Sequence, residues 1–254
     1  TGLPTKTEQS DLLQCMHGRN GESPMIIVAA SKPSDCFELA FEASRLALEH
    51  MTPVILLTDG YIANGSEPWK IPDLSKQFTT SKPRLVDRLG VESEGYLAYE
   101  RDPETLARTW AIPGMEGFEH RIGGLEKAVG SGNVSYDPMN HEEMSYIRKE
   151  KVERVSNNIP LQELEGGDSG DILVISWGGT YGATHAAVKK CQSEGIKVSL
   201  MHLKYINPMP KNVGELIKNF KKVLVPELNL GQLLMMINST FHCKAKGYNK
   251  VQGL

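Results

Sequence analysis

Short apolar runs alternating with helical spacing constrain this chain more than any other feature. Pro24-Met-Ile-Ile-Val-Ala-Ala-Ser31 shows no polar alternation, the pattern of a strand buried on both faces. Pro33-Ser34-Asp35 then opens a helix, since Pro is tolerated in a first turn and Asp favours the positive helix N-terminus. Phe37, Phe41 beside Ala40, Ser44 and Leu48 recur at helical spacing, and Pro53 stops the segment. Pro53-Val-Ile-Leu-Leu-Thr58 reads as the next buried strand. Strand, helix and strand of this length predict a βαβ unit with parallel strands and a right-handed crossover.

The C-terminal third repeats the pattern. Asp171-Ile-Leu-Val-Ile-Ser-Trp177 reads as a strand, Gly178-Gly-Thr-Tyr-Gly182 as a tight turn, and Ala183 to Glu194 as a helix ended by Gly195, the usual residue past a helix C-terminus. Strands are expected at Ile196–Leu203 and Lys222–Pro226, and helices at Asn212–Phe220 and Leu230–Thr240. This βαβαβα order predicts a doubly wound α/β unit. Residues 70–165 differ. Pro72, Pro83, Pro103, Pro113, Pro138 and Pro160, with glycine turns at Gly114–Gly117 and Gly123–Gly124, break any long period. Only Met144–Asn157 suggests a charged amphipathic helix. The rest reads as arms wrapping a partner or the neighbouring domain, because a long structureless stretch is otherwise uncommon in a compact domain.

The 254 residues allow one or two domains at ~150 residues each. Apolar runs stop far short of the ~20 residues that span a bilayer, so no membrane segment is expected. A formal charge of -3 with interspersed signs argues against a nucleic-acid surface. Lys218, Lys221 and Lys222 read as a solvated helix end. Cys15, Cys36, Cys191 and Cys243 are scattered without a C-x-x-C or Cys/His cluster, so no metal ligands are assigned. Free thiols packed as small apolar groups in a reducing cytoplasm are expected.

Three stretches carry candidate chemistry. Thr1-Gly2-Leu-Pro-Thr5-Lys-Thr7-Glu8-Gln9-Ser10-Asp11 reads from its residues as a polar loop entering a helix, with Thr7 or Ser10 as N-cap. Asp59-Gly60 and Asn64-Gly65 follow a parallel strand, where ligands sit in open α/β sheets. Asp59 or Asn64 could face a cofactor edge, but turns with positive φ are the favoured reading. Gly178–Gly182 does not fit G-x-G-x-x-G, and no acid follows Met201-His202-Leu203, so dinucleotide binding is not expected. His185 and His202 read as surface or capping residues. Glu227 is expected to satisfy nearby backbone donors, and Asn229 to cap the following helix. Leu233-Leu-Met-Met-Ile237 reads as core or interface.

Together the opening loop, Leu56-Leu-Thr-Asp59-Gly60 through Trp69, and Pro226-Glu227-Leu-Asn229-Leu-Gly231-Gln232 resemble the alpha subunit of 2-oxoacid:ferredoxin oxidoreductases, most of all the 2-oxoglutarate type. The resemblance runs along essentially the whole chain. It implies the second half of a pyrimidine-side thiamine diphosphate domain over residues 1–69 and connecting arms over 70–165. A transketolase C-terminal-like domain would occupy 166–254. It implies decarboxylation of a 2-oxoacid to its acyl-CoA, with electrons passed to ferredoxin.

The same resemblance gives Thr1, Gly2, Thr5, Gln9 and Asp11 a pocket-lining role and assigns no catalytic residue. The family's carboxylate-binding arginine would fall just before Thr1. Its Tyr-Pro-Ile-Thr-Pro element and the acid that activates the aminopyrimidine also have no match in these residues. The diphosphate–magnesium site belongs to the family's beta subunit, and iron–sulfur clusters to partner subunits, possible gamma and delta subunits included. A homo- or hetero-oligomer is implied. Alternatives are a branched-chain or pyruvate enzyme of the same family, the beta half of a 2-oxoacid dehydrogenase, and a non-catalytic assembly module.

Overall fold

All four side chains of the Ile26–Ala29 strand are buried, as an unbroken β-branched and apolar run demands. The computed structural model describes residues 8–73 and 81–252. Helix α1 (Leu12–His17) precedes this strand, β1, which is followed by α2 (Asp35–His50), β2 (Val54–Leu57) and α3 (Gly60–Asn64). After α4 (Val86–Leu89) and α5 (Pro138–Arg154) come β3 (Gly170–Trp177), α6 (Tyr181–Ser193), β4 (Val198–Leu203) and β5 (Tyr205–Asn207). Helix α7 (Val213–Lys218), β6 (Phe220–Glu227), α8 (Gln232–Phe241) and β7 (Lys246–Asn249) complete the order.

The described strands form two sheets, ordered β2-β1-β5 and β4-β3-β6-β7. β1 runs parallel to β2 and antiparallel to β5, whereas the larger sheet is parallel throughout. The fold is therefore mixed α/β. Because successive strand side chains point to opposite faces, β1 serves two cores. Ile27 and Ala29 join Leu173, Ile175, Met201, Val225, Leu233 and Ile237 of the larger sheet and α8. Ile26, Val28 and Ala30 pack with Leu39 and Leu46 of α2 and Val152 of α5. Each fully buried Leu or Ile contributes roughly 1.5–3 kcal/mol, so this shared core fixes the sheets against each other. Leu12 of α1 is fully buried in the first core, which anchors the chain just beyond the opening loop.

Several element bounds depart from the sequence reading. The helix expected over Asn212–Phe220 ends at Lys218, and Phe220 already opens β6. Helix α8 starts at Gln232 rather than Leu230 because Gly231 has φ +96°, outside helical space. The charged helix begins at Pro138 instead of Met144. Asp137 caps it by accepting from Met139 N at 3.0 Å, and Pro138 takes the first turn, where its missing N–H is harmless. Strands β5 and β7 lie outside the strands that the sequence pattern predicts. All four cysteines are partly exposed rather than fully buried, each packed against a core.

Residues 81–137 contain isolated bridges, among them Leu85 with Trp110 and Tyr99 with Gly130, and the single turn of α4. Long side chains tie this stretch to the helices: Trp110 Nε1 donates to Leu48 O, and Arg154 donates to the carbonyls of Pro103 and Glu104. Among the described residues no helix is long and apolar enough to cross a membrane.

Candidate functional site

Gln9 brings the opening loop to the carboxyl ends of β2 and β3, and it is 3 % exposed. Its Nε2 donates to Trp177 O at 2.7 Å, and its Oε1 accepts from Leu228 N at 2.9 Å. Asn229 Nδ2 donates to the Gln9 carbonyl at 2.9 Å. Gln232 returns the clasp from the other side: its Oε1 accepts from Leu13 N and its Nε2 donates to Ser10 O, both at 2.9 Å. The loop of residues 9–13 is thus held by the segment that links β6 to α8, more than two hundred positions away in sequence.

Glu227 organises that linking segment. Its carboxylate is 2 % exposed. Oε1 accepts from Trp177 Nε1, Asn229 Nδ2 and Leu233 N at 3.2, 3.0 and 2.8 Å, and Oε2 accepts from Leu234 N at 3.0 Å. Asn229 Oδ1 accepts from Gly231 N and Gln232 N. Carboxylate and amide together satisfy the first amides of α8, which otherwise lack intrahelical partners. The structural roles expected of Glu227 and Asn229 hold, with Trp177 as an added partner.

Asp59 corrects the turn reading. Its backbone is extended at φ -109°, and neither Gly60 nor Gly65 has positive φ. It is the N-cap of α3, accepting from Ile62 N at 3.0 Å, and its second oxygen accepts from Gly179 N at 2.7 Å. A β-carbon on Gly179 would lie 2.3 Å from that oxygen, so only glycine permits the approach. Gly178, with φ +59°, sits against the Gln9 amide. The glycines after β3 thus receive a side chain from the other sheet.

Glu8, Gln9, Ser10, Asp11, Leu57, Thr58, Asp59, Trp177 and Gly178 surround a cavity of about 20 Å³, room for a water rather than a coenzyme. Asp11 lies on its rim, exposed, with Ser10 Oγ donating to its carboxylate at 3.1 Å. It also occupies the N-cap position of α1, without a side-chain cap bond, in place of the expected Thr7 or Ser10. Of the residues expected to line a pocket, Gln9 and Asp11 lie side by side here. Thr1, Gly2, Thr5 and Thr7 lie outside the described residues.

The two histidines are not simple surface groups. His185 Nδ1 meets Glu165 at 2.5 Å. His202 Nδ1 lies 2.8 Å from Ser176 Oγ under the Tyr181 ring, and its Nε2 is buried without a partner among the described residues. Burial, and then the Lys204 charge, push the His202 pKa down to about 3.

The model described as "Pyruvate flavodoxin/ferredoxin oxidoreductase, thiamine diP-bdg" matches residues 1–137. The chain belongs to that pyruvate flavodoxin/ferredoxin oxidoreductase family. A second model, "Pyruvate:ferredoxin oxidoreductase core domain II", matches residues 170–254. The chain is 47% identical, over its whole length, to 2-oxoglutarate oxidoreductase subunit KorA of Mycobacterium tuberculosis, and spans 38% of that protein. It is 28% identical to subunit alpha of 2-oxoacid:ferredoxin oxidoreductase 2 of Aeropyrum pernix, over 94% of this chain and 37% of that one. Among solved structures, 2-oxoglutarate:ferredoxin oxidoreductase from Magnetococcus marinus, with 2-oxoglutarate, coenzyme A and succinyl-CoA bound, superposes with a TM-score of 0.88. It is 33% identical and covers 98% of this chain and 43% of its own. The chain therefore spans well under half the length of these relatives.

Thiamine diphosphate, the cofactor of this family, does not fit the described residues as a whole. Both Asp59 oxygens and both ends of the Gln9 amide are taken by protein groups. Among the described residues no group of three His, Cys, Asp or Glu is placed to hold a metal ion. What the arrangement does is position a loop.

Proposed function

We propose that this chain is the part of a 2-oxoacid:ferredoxin oxidoreductase alpha subunit that walls one side of the reaction pocket and scaffolds it. Residues 1–69 would supply the second half of the pyrimidine-side domain, 70–165 the connecting arms, and 166–254 the transketolase C-terminal-like domain. The observation that carries this reading is the placement of residues 8–11. They sit at the carboxyl ends of parallel strands, clasped by the β6–α8 segment, in a chain whose first half matches a thiamine-binding family model.

The substrate class is a 2-oxoacid, with 2-oxoglutarate preferred on the names of the relatives. Coenzyme A would accept the acyl group and ferredoxin the electrons. Thiamine diphosphate would supply the electron sink for decarboxylation. Its diphosphate and magnesium would be held by a beta subunit, and iron–sulfur clusters by partner subunits, in a cytoplasmic hetero-oligomer. This chain's own residues orient and enclose. Thr1, Gly2, Thr5, Gln9 and Asp11 are the proposed lining, with Gln9 acting through the clasp.

A second reading, a non-catalytic assembly module, is favoured by one observation: the buried polar groups of the clasp bond to one another rather than facing the cavity. Reconstitution of the whole alpha subunit with its beta partner separates the two. Viologen reduction that requires 2-oxoglutarate, thiamine diphosphate and coenzyme A together supports the enzyme reading. A stable complex without turnover supports the module.

A further inference from the structure

A cleft of about 670 Å³ opens between the arm, helix α5 and the loop that enters β1. Ser23–Met25 and Met51–Pro53 line it, so it lies at the amino ends of β1 and β2, the opposite end from the Gln9–Asp59 cavity. Its volume is within the ~300–1,000 Å³ usual for small-molecule sites.

The charge in it is lopsided. Among the described residues its walls carry six lysines and arginines and two carboxylates, Glu22 and Glu126, in a chain of net charge -3. Glu126 is taken by Arg148 at 3.3 Å and by His141 at 2.6 Å. Arg101, Arg108, Lys127 and Lys151 form no ion pair among the described residues; each bonds a backbone carbonyl instead, at 3.1, 2.9, 2.8 and 3.0 Å. The Arg101 Nε is buried with no partner among the described residues, and Lys127 is 3 % exposed. Burial, followed by the charges of Arg101, Arg108 and Arg148, pushes Lys151 down to about 8. Burial and the Arg108 charge push Arg101 down to about 10. Cations crowded into a part-buried cleft repel one another and lack the counter-charge such burial calls for.

We propose that this cleft binds an anion bearing at least two phosphoryl groups, gripped by Arg101, Arg108 and Lys151. A phosphate monoester carries roughly -1.5 to -2 at neutral pH, so two such groups offset the excess that one carboxylate would leave. Guanidinium forks match phosphate oxygens in pairs. Arg108 is already held, its fork 4.2 Å over the Tyr99 ring, so little ordering is needed on binding. The inference does not depend on the reaction proposed above.

The test titrates inorganic diphosphate into the whole protein by calorimetry at about 0.15 M salt, with thiamine diphosphate already saturating. Saturable binding at one further site per chain is expected, weakened at least ~10-fold by Arg108→Gln and by Lys151→Met, as for loss of a charge-assisted bond. Arg108→Lys should fall between, because it keeps the charge and loses the fork. Circular dichroism and thermal midpoints establish that each variant is folded. No binding to the whole protein, equal binding to wild type and both variants, or equal displacement by a glutamate hexapeptide would overturn the proposal.

Discussion

Replacing Glu227 by Gln in the whole protein tests the clasp with almost no change in shape. The carboxylate accepts four hydrogen bonds, three on Oε1 and one on Oε2. The amide can keep its oxygen toward the three donors, but its NH2 then faces the Leu234 N–H. One charge-assisted bond, worth about 1.5–3 kcal/mol, is lost. The remaining bonds become neutral and weaken by about half. The favourable charge at the N-terminus of α8, about 0.3–1 kcal/mol, also disappears. The expected destabilisation is at least about 4 kcal/mol, and Glu227→Ala should exceed it by leaving Trp177 Nε1, Leu233 N and Leu234 N unpaired. Guanidinium unfolding followed by tryptophan fluorescence measures this as a fall in midpoint at constant slope. Trp177 is 3 % exposed and bonded to Glu227, so it reports the event directly. A loss below about 1 kcal/mol for the Gln variant would mean that the carboxylate does not organise the segment.

Gly179→Ala should push the Asp59 carboxylate off the Gly179 amide and destabilise the protein by about 1–3 kcal/mol. Thermal melts of Gly179→Ala, Asp59→Ala and the double variant should show coupling, and strict additivity would refute the contact. Burial raises the Asp35 pKa, but hydrogen bonds from Lys204 and Ser31 outweigh it and hold the carboxyl below its ordinary value. A depressed native pKa gives stability that is present above about pH 4 and lost as pH falls through the native value. Asp35→Asn should therefore lose more stability at pH 7 than at pH 3 in denaturation midpoints. His202 works from the other side: with its native pKa near 3, unfolding lets it take up a proton below about pH 6.5, so stability should fall from there toward pH 3. His202→Gln should flatten that limb of the acid-unfolding curve.

The strands and helices with strong local signals are legible in the sequence alone. The apolar runs at 26–29, 54–57 and 198–203 and the Gly195 turn needed no tertiary information. What escaped was set by distant partners. Tyr205–Asn207 and Lys246–Asn249 have no strong strand pattern and become strands only because β1 and β6 offer edges. Asp59-Gly60 carries a turn signature, yet the Gly179 amide and the α3 cap claim its carboxylate. Gln9 was visible as a polar residue in a pocket-like loop, but its burial depends on Leu228 and Trp177, which no local window reveals. The cationic cleft was equally hidden, because its residues come from the loop before β1, the arm and α5.

The sharpest test of the pocket-wall assignment is steady-state turnover of the assembled enzyme carrying Asp11→Ala, measured beside its thermal midpoint. Asp11 is exposed, and among the described residues its side chain makes one surface hydrogen bond, so its removal should change stability by no more than about 0.5 kcal/mol. If residues 8–11 wall the reacting centre, kcat should still fall at least ~10-fold, since a misplacement of ~1 Å there can cost ~100-fold. Turnover equal to wild type in a folded, fully assembled complex would contradict the assignment.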